Sequence, residues 1–229
     1  MELALSVNLP TVVHSRNADI ETIEAITTIK NSKGVVHCFA SNLVQANKII
    51  KLNYYISELI KLIPDQIYGY GNASMEGVVG ELLKEKNRTL STAESCTGGN
   101  VSKMLTSISG SSSFFNGSIV SYSNQSKSEL LDINEQNIEK YGAVSQQVVE
   151  QMAANVRLKF NSDFGISTSG IAGPSGGNTE KPVGTIWIAV ANKDKVVSKK
   201  LNLGYNRERN IHVSSLSVLN LLRLELLKN

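Results

Sequence analysis

With 229 residues the chain has room for one good-sized α/β domain, or for a domain of about 150 residues plus a smaller neighbour. Apolar residues make up 41% of it, enough to bury a core, which excludes wholesale disorder. The formal net charge of +3 is scattered, with Lys199-Lys200 as the only adjacent basic pair; this argues against a nucleic-acid-binding stripe and leaves an anionic small substrate open.

Asp19 to Lys30 carries Ile20, Ile23, Ile26 and Ile29 at helical spacing, with Asp19 as the cap. Val35 to Ala40 reads as a short strand. Gln45 to Ile63 reads as a helix that Pro64 ends. The turn-rich run Tyr68 to Asn72 marks a boundary, so residues 1–73 form a small α+β segment and residues 74–229 a larger domain. That domain opens with a helix from Met75 to Lys86 and a strand from Thr89 to Ala93. A helix from Thr97 to Ile108 and a strand from Ser118 to Tyr122 follow. Asn124 to Leu131 reads as a helix, and Ser145 caps a long one running to about Phe160. Phe164 to Ser169 is a strand, and Gly170 to Pro182 a glycine-rich loop. Val183 to Ala191 and Lys195 to Leu203 form a hairpin around Asn192-Lys193-Asp194, and Arg207 to Leu227 closes the chain as a helix. Strands interleaved with helices predict a three-layer α/β/α domain, and the late hairpin makes its sheet mixed.

Cys38 and Cys96 are too few for a disulfide scaffold and form no zinc-type pair. The chain begins Met1-Glu2-Leu3 without a basic region ahead of an apolar run, and no stretch reaches the roughly 18 apolar residues of a membrane span. A cytoplasmic protein without membrane contact is the expectation.

Four segments carry candidate chemistry. Glu94-Ser95-Cys96-Thr97-Gly98-Gly99 follows a strand and opens a helix, where free N–H groups and the helix dipole stabilise an anion. An ordinary capped helix start explains it equally well. The three histidines, His14, His37 and His212, supply a serine–histidine pair poorly, because two lie in the opening segment and His212 sits in the last helix. A neutral lysine can activate serine instead. Cys96 is a rival nucleophile, although a small buried cysteine is the commoner case. In the second segment, Tyr122 ends a strand and Lys127 lies in the first turns of the next helix, where the dipole and partial burial would lower its pKa, although a surface lysine is the commoner case. In the third, Gly110-Ser111-Ser112-Ser113 can offer hydroxyls and N–H groups to an oxyanion. The fourth, Gly170 to Gly177, can cradle a phosphate. Arg207 and Arg209 open the last helix; for Arg207 a solvated helix end is the preferred reading.

Taken together, Ala93-Glu94-Ser95-Cys96-Thr97-Gly98-Gly99, Gly110-Ser111-Ser112, Tyr122-Ser123-Asn124 with Lys127, Tyr141-Gly142-Ala143-Val144-Ser145, and Gly170-Ile171-Ala172-Gly173-Pro174 with Lys181-Pro182-Val183-Gly184-Thr185 resemble the C-terminal domain of the CinA competence/damage-inducible family, the nicotinamide-nucleotide amidases. The resemblance spans about residues 74–227. It implies hydrolysis of nicotinamide mononucleotide to nicotinate mononucleotide and ammonia, with no metal and no cofactor. It implies Ser95 as nucleophile, Lys127 as general base and Tyr122 as its partner in proton transfer. It further implies Gly98, Gly99, Ser112, Ser169, Gly170, Gly173 and Arg209 in substrate or oxyanion contacts, and a homodimer or higher homo-oligomer. Ser169 stands where the family usually has threonine, which keeps the hydroxyl. Val35 to Gly77 is similar to the family's small linking domain, a KH-like fold, but it lacks a Gly-x-x-Gly loop, so no nucleic acid is expected as a partner. A nucleotide-binding module without turnover and a cysteine hydrolase built on Cys96 are the rival functions.

Overall fold

The computed structural model describes residues 11–14, 19–28, 34–37, 68 and 73–228. The chain divides into two compact units, Met1–Ala73 and Ser74–Asn229.

In the first unit, strands β1 (Thr11–His14) and β2 (Gly34–His37) pair in parallel, and helix α1 (Asp19–Thr28) lies between them in sequence. The helix and second strand match the sequence reading, whereas β1 was not anticipated. The helix expected over Gln45 to Ile63 lies outside the described residues.

The second unit runs α2 (Met75–Glu85), β3 (Leu90–Glu94), α3 (Asn100–Thr106), β4 (Phe115–Val120), α4 (Asn124–Leu131), α5 (Glu135–Tyr141), α6 (Gln146–Lys159), β5 (Phe164–Gly170), β6 (Thr185–Ala191), β7 (Val196–Asn202) and α7 (Arg207–Lys228). The sheet order is β4-β3-β5-β6-β7. The β3–β4 and β3–β5 pairs are parallel; β5–β6 and β6–β7 are antiparallel. This is the mixed sheet expected. A short helix, α5, went unseen; its cap is Asn134, whose side chain accepts from the Gln136 N–H.

The two faces of the sheet are built differently. On one, Leu90, Ile166, Ile186, Ile188 and Val190 meet apolar residues of α2, α3 and α7 in the main core. In α7 the buried positions 210, 214, 218, 222 and 226 recur every four residues, a stripe aimed at that core. On the other face the strands present small residues: Ser91, Ala93, Gly165, Ser167, Ser169, Ala189 and Ala191. Helix α6 packs there through Val148, Val149, Met152, Ala153 and Val156. It approaches so closely that a Cβ on Gly165 would overlap the Ala153 carbonyl. The Ser167 hydroxyl donates to the Val149 carbonyl across the same seam at 2.6 Å.

Candidate active site

In an open α/β sheet ligands gather beyond the carboxyl ends of the strands. Here β3 ends at Glu94, its parallel neighbour β4 at Val120 and β5 at Gly170, so the segments after them share one edge of the sheet.

Glu94 organises the first of these segments. Its buried carboxylate accepts from the N–H groups of Gly99 (3.0 Å), Val101 (3.0 Å) and Ser102 (2.8 Å). It also accepts from the hydroxyls of Thr97 (2.7 Å) and Ser102 (2.5 Å). Helix α3 has no side-chain cap of its own, and the strand's last residue supplies one. Gly98 and Gly99, at φ 59° and 96°, take the left-handed turn that brings the chain round to meet it. Thr97 is also tied to Thr168 of β5, hydroxyl to hydroxyl at 2.7 Å. The loop carrying Ser95 is thereby held from both sides. The Ser95 N–H donates to the Thr168 carbonyl at 3.0 Å.

Lys127 comes from α4. Ser123 caps that helix and Ser126 returns the bond, a reciprocal capping box that sets where the helix begins. Four residues past the cap, the Lys127 side chain runs into the protein, only 2% exposed. Its Nζ lies 3.0 Å from Ser95 Oγ and donates to the Ser121 carbonyl at 2.8 Å. Burial lowers its pKa from 10.5 to about 8, the direction expected, while the Cys96 thiol works weakly the other way. Burial also pushes the Cys96 thiol up to about 12, which disfavours the thiolate.

A second cluster involves residues that the sequence reading weighted differently. Arg207 donates through Nη1 to the Gly173 carbonyl (2.8 Å) and through Nη2 to the Tyr122 hydroxyl (2.9 Å). It is exposed at the helix end, as expected, but it also joins the glycine loop to the segment after β4, which was not expected. Tyr122 is 62% exposed and makes no hydrogen bond to Lys127 or Ser95, so the expected Tyr122–Lys127 contact is absent here. Arg209 stacks on the Tyr205 ring with its guanidinium 4.3 Å from the centroid. Asn210, fully buried, donates to the carbonyls of Ala172 (3.0 Å) and Tyr205 (2.9 Å) and fastens the start of α7 to the same loop. No motif drew attention to Asn210, whose only sequence signal is a polar residue at a core position of α7.

Three other expected contacts fall elsewhere. Ser169 lies on the α6 face and donates to the Ala143 carbonyl at 2.7 Å, so its hydroxyl holds the Tyr141–Ser145 segment. Gly170 is required by packing, since a Cβ there would overlap Ile186 of the next strand. Ser112 is exposed on the turn before β4, at the amino ends of the strands, about 16 Å of strand away from Ser95. It is not part of the Ser95–Lys127 site within this chain. Lys181 donates to the Tyr141 carbonyl at 2.7 Å and so joins two of the sequence motifs.

The family model described as CinA C-terminal domain matches residues 72–226. The chain belongs to the CinA C-terminal domain family. A CinA-like protein of Cytophaga hutchinsonii is 47% identical over 176 residues, covering 77% of this chain and 42% of that protein. One of Prochlorococcus marinus is 39% identical over 228 residues, covering 98% of this chain and 51% of the relative. The chain thus spans about half or less of the length of these relatives. Among solved structures, the competence/damage inducible protein CihA of Agrobacterium tumefaciens aligns with a TM-score of 0.64 at 30% identity, over 69% of this chain and 98% of its own. A competence or damage-inducible protein of Enterobacter asburiae aligns at 0.65 and 27% identity, over 68% and 99%. The CinA domain covers the second unit, whereas residues 1–64 match a second model, TatD related DNase. That likeness was not anticipated by the sequence reading, which expected a KH-like linking domain. Among the described residues no helix is long and apolar enough to cross a membrane.

Proposed function

We propose that the CinA domain of this chain hydrolyses the carboxamide of nicotinamide mononucleotide to nicotinate mononucleotide and ammonia, with Ser95 as nucleophile and Lys127 as general base. The observation that carries the reading is the buried amine of Lys127, 3.0 Å from the Ser95 hydroxyl, with a pKa lowered to about 8. The Ser121 carbonyl takes one N–H of the amine, which leaves the lone pair of the neutral form free to turn toward Ser95. Neutral Lys127 accepts the hydroxyl proton as Ser95 Oγ adds to the amide carbon. The N–H groups of Cys96 and Thr97 have no backbone acceptor among the described residues and belong to the turn that follows the nucleophile, which supports them as donors to the oxyanion. When the C–N bond breaks, the Lys127 ammonium returns its proton to the leaving nitrogen. Ammonia departs and an ester on Ser95 remains. Water then adds to that ester, Lys127 takes the water's proton, and the returning serine oxygen receives it as the carboxylic acid leaves. Arg207 and the Gly170–Gly177 loop supply the cationic, N–H-rich rim suited to the nucleotide's phosphate.

The test is ammonia release from nicotinamide mononucleotide by purified protein in the presence of a chelator, beside Ser95→Ala and Lys127→Ala. The reading expects release by the wild type and loss in both variants. Undiminished release in both variants sinks it. Thermal stabilisation by the nucleotide without any product would make the domain a binding module instead.

A further inference from the structure

At the other end of the sheet, where β3 and β5 begin and the β6–β7 hairpin turns, a cleft of about 500 Å³ opens among Arg88, Arg157, Asp163 and Lys193. Such a volume suits a small metabolite. Its cations differ in what they meet. Arg88 is paired with Asp163 at 2.8 Å. The Asp163 carboxylate also accepts from the Thr89 N–H and hydroxyl, each at 2.9 Å, and these contacts hold its pKa low against the opposing effect of burial. Asp163 is therefore fully engaged. The Arg157 guanidinium, in the last turn of α6, makes no hydrogen bond or ion pair with any described residue, and its Nε is buried. Lys193 stands exposed on the hairpin turn at the mouth, beside Asp194, whose N–H is taken by the Asn192 side chain. A guanidinium partly withdrawn from water without a counter-ion is costly, and an anion in the cleft relieves it.

We propose that this cleft is a second ligand site that takes a phosphate-bearing small molecule, with Arg157 binding the phosphate and Lys193 closing over it. The site is separate from the Ser95–Lys127 edge and does not depend on the proposed reaction. Arginine suits a phosphate because its planar fork gives two parallel charge-assisted bonds, and an exposed lysine adds charge without fixed geometry.

Pyrophosphate is the probe, titrated by calorimetry. Arg157→Met keeps the apolar stem and removes the guanidinium, so affinity is expected to fall by about tenfold or more while the variant melts no lower than wild type. Lys193→Gln, on an exposed turn, tests the site without touching the core and is expected to weaken binding by about threefold. Because the other edge is expected to accept a nucleotide phosphate, Arg207→Ala is titrated as well. Wild-type affinity there, with loss in Arg157→Met, assigns the probe to the cleft. Loss in Arg207→Ala with undiminished binding in Arg157→Met and Lys193→Gln overturns the proposal. So does succinate binding as tightly as pyrophosphate, since the cleft would then select a carboxylate.

Discussion

Lys127 Nζ sits 3.0 Å from Ser95 Oγ across 32 residues of chain, and both side chains are buried. The same burial that brings them together lowers the lysine pKa to about 8, so at pH 7 about a tenth of the molecules carry the neutral amine. In the proposed mechanism the neutral form is the active one. Activity on nicotinamide mononucleotide is therefore expected to rise about tenfold per pH unit below pH 8 and level off above it. Lys127→Arg, which stays charged, should lose about 1,000-fold or more in kcat, as should Ser95→Ala. A flat profile from pH 6 to 9 would contradict the assignment.

Arg207 and Arg209 are two residues apart, and the structure gives them different work. Arg207 bridges the Gly173 carbonyl and the Tyr122 hydroxyl, whereas Arg209 lies over an exposed tyrosine ring. Arg207→Ala should lower kcat/KM by about 10- to 100-fold, from the loss of one or two charge-assisted hydrogen bonds. Arg209→Ala should change it by less than about threefold. Steady-state kinetics on the two variants decides this, and the reverse ranking would restore Arg209 to the substrate site.

Much of the second unit was legible in the sequence because α2, α4 and α6 are capped by serines that stand just before them. Ser74, Ser123 and Ser145 all accept from the N–H three residues on. The α3 start was harder to place, since Glu94 caps it from the preceding strand and no local rule connects the two. The pairing of Ser95 with Lys127 came from the resemblance to the CinA family; the scarcity of suitably placed histidines only made room for it. Which way Ser169 and Tyr122 point was not readable. Ser169 alternates onto the α6 face because strand residues alternate, and its register was not available from sequence. Tyr122 lies past the end of β4, where its direction follows from its partner Arg207, 85 residues away.

Glu94 accepts five hydrogen bonds, three of them from the opening turns of α3. Glu94→Ala leaves these donors without their acceptor at a buried helix start, and a stability loss of about 3 kcal/mol or more is expected from urea unfolding. Glu94→Gln keeps the shape but turns an NH2 group toward N–H donors, so it should recover less than half of that loss. Because Ser95 directly follows Glu94, both variants should also lose activity at temperatures where they remain folded. A loss below about 0.5 kcal/mol in Glu94→Ala would show that water replaces the carboxylate at no cost.

Lys127 should also show what catalysis takes from stability. In the unfolded chain its pKa is near 10.5, and in the folded protein it is about 8. Between those values the unfolded chain binds the proton and the folded protein does not, so stability from this residue rises with pH across the window. Below pH 8 both states are protonated, and the full penalty of holding a buried ammonium remains. Lys127→Met fills the same space without the charge. It is expected to melt higher than wild type at pH 7 and to lose that advantage steadily as the pH is raised from 8 to 10.5. Thermal melts of both proteins at pH 7, 9 and 10.5 check this. A variant that melts lower than wild type at pH 7 would mean that the bonds to Ser95 and Ser121 outweigh the cost of burial, and the lysine would then be less readily neutral than the proposed mechanism requires.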